Sequence, residues 1–184
     1  RSMQWDDTIL ETGFTPIHFI SPANVKSSYI EETRKADLIR HFCKSLEIYF
    51  SRYKWTKDPC GDVRWQTSIK SKNGHPLIYA TFGEGTETTL LLSGVHPDEL
   101  TPIPIAFKFA RHLTANPKLY ESQGIRVIVA PLVNPDGFLR NVATRTNANG
   151  VDVNRNFFTM DWYSKAKRLW KQRRQKNLRH FPGY

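Results

Sequence analysis

The sequence predicts an α/β domain, and three observations carry that prediction. From Glu31 onward, apolar residues recur at three- and four-residue steps. Three short segments of strand character follow, and a second helical segment separates the third from one more apolar strand. A strand, a helix and a strand in that order imply a parallel pair joined by a crossover, which excludes an all-β fold.

Taken in order, residues 1–30 read as an irregular lead-in, with aromatic residues in no period and prolines at Pro16 and Pro22. The first helix is predicted from Glu31, because Ile39, Phe42, Leu46, Tyr49 and Tyr53 trace one helical face, and it stops before Pro59-Cys60-Gly61. Strands are expected at Arg64–Ser71, Pro76–Phe82 and Thr88–Ser93, with Lys72-Asn73-Gly74 turning the first into the second. Consecutive apolar residues in the third strand predict cover on both faces. A helix over Glu99–Thr114 presents Ile103, Phe107, Ala110 and Leu113 on one side; Pro102 and Pro104 fall near its start, where a missing amide donor costs least. Ile125–Ala130 is the next strand. Leu132–Asn149, rich in Asn, Thr, Asp and Gly, reads as a long loop of the kind that is functional or disordered. The last element, Asp161–Asn177, reads as a helix with Trp162, Ala166, Leu169 and Trp170 inward and basic residues outward.

A chain of 184 residues with 39% hydrophobic content can bury a sizeable core, and no run of eighteen apolar residues marks a membrane span. Arg-Ser-Met at the start is not a signal peptide. Cys43 and Cys60 lack CxxC spacing or a regular framework and read as isolated structural thiols, so they leave the compartment open. The formal charge of +10 is concentrated in Lys165, Lys167, Arg168, Lys171, Arg173, Arg174, Lys176 and Arg179; without those eight it falls to +2. That stretch suits a solvated helix face or a patch for anionic partners.

Candidate chemistry gathers where strands finish, as expected of ligand sites in open α/β sheets. His96 and Glu99 follow the third strand at i, i+3 spacing, so their side chains can converge in one turn, and an imidazole nitrogen with a carboxylate oxygen suits zinc. Two ligands are too few for a catalytic site, and the pair alone also fits a helix-start carboxylate beside an ordinary histidine. His18, His41, His75 and His112 read as structural or solvated, and His180 as a distant candidate. Asn134-Pro135-Asp136-Gly137 alone is a common turn sequence, and Arg145 and Arg155 alone are surface arginines paired with acids.

Four motifs in order change that balance: Gly94-Val95-His96-Pro97-Asp98-Glu99, Asn134-Pro135-Asp136-Gly137, Arg145-Thr146-Asn147 and Gly150-Val151-Asp152-Val153-Asn154-Arg155-Asn156-Phe157. With the turn Ser71-Lys72-Asn73-Gly74-His75-Pro76-Leu77, they resemble the zinc metallocarboxypeptidase family (M14, carboxypeptidase A-like), from about Arg64 to Tyr184. The resemblance implies a mixed, largely parallel central sheet flanked by helices, in which residues 31–184 form the N-terminal part of the domain. It implies zinc bound by His96 and Glu99, with Asp152 orienting the His96 ring from behind. Arg145 would stabilise the oxyanion formed as water attacks the peptide carbonyl, and Asn154 and Arg155 would hold the free terminal carboxylate of a peptide substrate. Strand alternation would send Asn154 and Arg155 to opposite faces, so their joint action requires an irregular backbone.

The family pattern also includes a second zinc histidine and a glutamate general base, neither of which has a counterpart before Tyr184. The expectation is therefore an N-terminal half that is inactive alone, completed by the rest of the domain, perhaps as a separate chain. Asp98 stands where the pancreatic digestive branch carries arginine. The leading function is removal of C-terminal residues from peptides, with bacterial cell-wall stem peptides as a substrate class favoured by the basic helix, and a periplasmic or secreted location. The alternative is a non-catalytic basic module that binds a polyanion such as nucleic acid. Against it, Trp162 and Trp170 fall on the inward helix face, where packing rather than base stacking is expected.

Overall fold

A four-stranded sheet positions the site. β1 (Gln66–Lys70) and β2 (Pro76–Phe82) form the expected antiparallel hairpin, with Gln66 opposite Tyr79. Gly74 closes the turn at φ +86°, a backbone region open to glycine, and its amide donates to the Ser71 carbonyl at 3.0 Å. β3 (Glu87–Leu92) and β4 (Ile125–Ala130) run parallel in strict register, from Glu87 opposite Ile125 to Leu92 opposite Ala130. β4 also pairs antiparallel with β2, giving the order β1-β2-β4-β3. The sheet is mixed and flanked by helices; in this portion of it the β3–β4 pair supplies the parallel pairing.

The computed structural model describes residues 22–157, 159–172 and 180–183. The chain divides into two compact units, 1–33 and 34–184. Helix α1 (Pro22–Arg52) begins nine residues before the predicted start at Glu31, so the last part of the predicted irregular lead-in is helical. Within the second unit, the predicted face of α1 is the buried one: Phe42 and Leu46 are buried, and Ile39, Tyr49 and Tyr53 pack around them. Phe50, one turn after Leu46, is also fully buried and meets Phe107 edge-on with ring centroids 5.3 Å apart. Helix α2 (Pro102–Ala115) starts at Pro102, three residues later than predicted, and buries Ile103, Phe107, Ala110 and Leu113 as expected. Residues Glu99–Thr101 are thereby left in a turn, free to serve the site.

Four further expectations are corrected. Cys43 and Cys60 are not isolated thiols: they form a disulfide that ties α1 to the loop before β1. β3 is not covered on both faces, since it lies at the sheet edge with Leu90 58% and Leu92 53% exposed. A one-turn helix, α3 (Lys118–Glu121), lies between α2 and β4, and the loop after β4 is not without structure: it contains the one-turn helix α4 (Pro135–Phe138). The last predicted helix is a π-helical turn, Trp162–Ala166, followed by α5 (Lys167–Gln172); Trp162, Ala166 and Trp170 are half-buried, but Leu169 is exposed. The remainder of that predicted helix, with Arg173, Arg174 and Lys176, lies outside the described residues, as do Arg179 and His18. No helix among the described residues is long and apolar enough to cross a membrane.

Candidate metal and substrate site

The end of β3 is shaped so that two polar side chains meet. Gly94 adopts φ +60°, and a Cβ there would come within 2.6 Å of the Leu132 side chain, so the close approach of the two strand ends requires glycine. The chain then turns tightly, the Glu99 amide donating to the His96 carbonyl at 2.9 Å, which brings the His96 and Glu99 side chains to one side. Asn134 fixes the neighbouring loop. Its Oδ1 accepts from the Gly137 amide at 3.0 Å, and its Nδ2 donates to the carbonyls of Arg145 at 3.3 Å and Val95 at 3.5 Å. Asp136, also buried, accepts from the Ser71 hydroxyl at 2.5 Å and the Asn73 amide at 3.2 Å, anchoring this loop to the β1–β2 turn. The Asn-Pro-Asp-Gly motif thus serves as a joint between loops.

Four side chains from three segments close into one network. His96 places Nε2 at 2.9 Å from Asp152 Oδ1 and Nδ1 at 3.2 Å from Glu99 Oε1. Arg145 donates Nε–H to Asp152 Oδ2 at 2.7 Å and from its terminal nitrogen to Glu99 Oε1 at 2.8 Å. His96, Arg145 and Asp152 are buried, Asp152 completely, whereas Glu99 is about half exposed at 55%. Burial alone would raise the Asp152 pKa; the hydrogen bonds and charges of Arg145 and His96 outweigh it and hold the carboxyl below its ordinary value. Burial likewise disfavours the Arg145 charge, but its bonds to Asp152 and then Glu99 reverse the effect and raise its pKa.

The sequence pattern of the zinc carboxypeptidase family, Peptidase M14, matches residues 60–181. The chain belongs to that family. Murein peptide amidase A of Escherichia coli, from strain K12 and from O157:H7, is 35% identical to it over 94 residues, which cover 50% of this chain and 35% of the relative. Among solved structures, murein-tripeptide amidase MpaA from E. coli O157 matches at 30% identity with a TM-score of 0.45, covering 58% of this chain and 43% of its own. Bovine thrombin-activatable fibrinolysis inhibitor, solved with tick carboxypeptidase inhibitor, matches at 18% identity with a TM-score of 0.47, covering 68% of this chain and 44% of that one. The chain therefore spans about a third of the length of these curated relatives.

The zinc that the family implies can be tested against the donors present. Two tetrahedral ligands at the usual zinc distances lie roughly 3.4 Å apart. His96 Nδ1 and Glu99 Oε1 are 3.2 Å apart. When Nε2–H is given to Asp152, Nδ1 becomes an acceptor facing a second acceptor, an arrangement that a shared cation reconciles. The spacing of this donor pair therefore suits the ion; among the described residues no third His, Cys, Asp or Glu joins the pair as a metal-binding group.

The other expected site residues divide. Val153–Arg155 form a 3₁₀ turn, capped by Asp152 Oδ1 accepting from the Asn154 amide at 3.1 Å, so the backbone here is irregular and not a strand. Asn154 and Arg155 are both exposed and both line a groove of about 240 Å³ with Phe157, Trp162 and Lys165. The Arg155 guanidinium donates to the Asn154 carbonyl at 3.0 Å, and the Arg155 carbonyl accepts from the Trp162 indole at 2.8 Å. His75 lies 4.0 Å from Asp136, His41 contacts the Asp37 carbonyl and His112 lies against Asn116, each apart from the network. His180 does reach it, at 3.5 Å from Asp152 Oδ2, while the Phe181 carbonyl accepts from the Asp152 amide at 2.8 Å. Nothing in local spacing indicates that return of the chain, because it links residues 28 positions apart across the basic segment.

Proposed function

We propose that this chain forms the first part of the active site of a zinc-dependent carboxypeptidase that acts on peptides with a free C-terminal carboxylate. The observation that carries the reading is the pair of His96 Nδ1 and Glu99 Oε1 facing each other at 3.2 Å, with Asp152 behind the His96 ring at 2.9 Å. In this reading His96 and Glu99 hold the metal and Asp152 fixes the ring tautomer and direction. A bound zinc supplies Lewis-acid polarisation and lowers the pKa of water at the site. Arg145, pivoting on its Nε bond to Asp152, turns its terminal nitrogen from Glu99 to the developing oxyanion. Arg155 and Asn154 take the substrate's terminal carboxylate at the groove rim.

Cell-wall stem peptides are the favoured substrate class, supported by the murein peptide amidases among the relatives. The Cys43–Cys60 disulfide supports an oxidising compartment, periplasmic or extracellular. The reading assigns the second zinc histidine and the general-base glutamate to the remainder of the domain. The free edge of β3 and the exposed Leu90 and Leu92 support such a partner. Binding of nucleic acid is disfavoured, because Trp162 is engaged with the Arg155 carbonyl and Trp170 packs on Phe181 at 5.0 Å. The test is metal analysis and residue release by the intact protein. About one zinc per molecule, and release of the last residue from murein peptides that a chelator abolishes and zinc restores, is the expected result; an intact protein without zinc or release overturns it.

A further inference from the structure

Asp152 is a fully buried carboxylate whose two oxygens each face two partners. Oδ1 lies 2.9 Å from His96 Nε2 and 3.1 Å from the Asn154 amide; Oδ2 lies 2.7 Å from Arg145 Nε and 3.5 Å from His180 Nδ1. Three of these partners have roles in the reading above or belong to the capped turn. His180 has none, and it arrives from the far side of the basic segment on a strand of chain that is itself fixed: the Asp152 amide donates to the Phe181 carbonyl at 2.8 Å, and Phe181 packs against Trp170.

We propose that His180 is a positioning residue for the metal site, acting through Asp152. Nδ1 lies 3.5 Å from Oδ2, so an Nδ1–H tautomer sets a polar N–H beside this oxygen that is independent of Arg145. That matters because Arg145 has two tasks on two carboxylates, Asp152 and Glu99. When its terminal nitrogen leaves Glu99 for a substrate, the guanidinium must swing, and a carboxylate held at Oδ2 by Arg145 alone would turn with it. Rotation of that carboxylate would carry Oδ1 away from His96 Nε2, and with it the direction of the ligating Nδ1. His180 separates these motions: it pins Oδ2 while Arg145 moves, and the His96 ring keeps its aim. Its 32% exposure leaves one edge of the ring in contact with solvent, as befits a brace at the rim and not a core residue.

The inference rests on the zinc reading, and the experiment separates the two. Zinc dissociation constants are measured for the intact protein and for its His180→Phe and His180→Asn variants, with thermal midpoints of the metal-free forms as control. His180→Phe keeps a packed ring but removes the donor, and is expected to weaken zinc binding about tenfold, at the low end for outer partners of metal ligands. His180→Asn retains an N–H near the Nδ1 position and is expected to stay within about twofold of the parent. If the parent binds zinc tightly and both variants match it, or both lose affinity together with a lower thermal midpoint, the positioning role is overturned and the zinc reading stands. A parent that binds no zinc overturns both.

Discussion

Asp152 joins His96, Arg145, the Asn154 amide and His180 in one network, and its chemistry makes two predictions. Replacing it by Asn removes the charge that compensates Arg145, which stays buried at 9% exposure. A buried ion stripped of its only partner costs about 3–5 kcal/mol; Arg145 keeps the half-exposed Glu99 at 2.8 Å, so the cost here is expected to be smaller, about 2–3 kcal/mol. Denaturant midpoints of the parent and of Asp152→Asn should differ by that amount, and zinc affinity should fall by about 10- to 100-fold. The pH dependence has a definite sign. The folded-state pKa of Asp152 is depressed, so its stabilisation is complete above the pKa of an unfolded Asp, declines as pH falls below that value and is gone below the folded-state pKa. Unfolding free energies measured from pH 6 downward should therefore fall more steeply in the parent than in Asp152→Asn; parallel curves would contradict the assignment. The i, i+3 spacing of His96 and Glu99 made their convergence possible to read in the sequence, because residues three apart in a turn lie on one side, but it took the accompanying motifs to favour it. The division of Arg145 between Asp152, seven residues on, and Glu99, 46 residues back, was not legible, since it depends on how Asn134 ties the two loops.

Among the elements, β3 and α1 test different forces. The sequence of β3 looks like a buried strand because an apolar run has the same composition whether its cover comes from this chain or from elsewhere; the structure puts it at the edge, with Leu90 and Leu92 exposed. Leu90→Ser with Leu92→Ser should leave the denaturant midpoint of this chain nearly unchanged while lowering its self-association in sedimentation, since a flat apolar edge invites pairing. Leu46→Ala on α1 should do the reverse, costing about 2–5 kcal/mol from a fully buried position with no change in association. β2 and β4 were read at their observed limits because Pro76, Gly124 and Pro131 mark them chemically, whereas the start of α1 was not, because Pro22 at a helix start looks the same as Pro22 in a loop. The disulfide escaped the sequence reading for a geometric reason: 17 residues separate its cysteines, and only the turn after α1 returns Cys60 to the helix. Reducing it should lower stability by about 3 kcal/mol, the loop-entropy value for that separation, as a shift in denaturant midpoint with and without reductant.

For the whole molecule, the decisive quantity is the number of metal ligands. In the proposed reading His96 and Glu99, 3.2 Å apart, are the ligands from this chain and Asp152 orients the first of them, so two donors alone would hold the ion weakly. A structural zinc with four protein ligands binds with roughly 10–16 kcal/mol, on the order of 3 kcal/mol per ligand, so a missing third ligand weakens binding by about 100-fold. Supplying the remainder of the family domain, in the same polypeptide or as a separate chain, should restore that factor. It should also cover Leu90 and Leu92, pair the free edge of β3 and bring in the proton acceptor that peptide hydrolysis requires. Zinc titrations of the 184-residue chain, alone and with the added part, should therefore show the roughly 100-fold gain together with loss of hydrogen exchange along β3, and peptide hydrolysis should appear in the combined form alone. Equal zinc affinity in the two forms would mean that this chain already completes the coordination sphere, and that β3 is a natural edge.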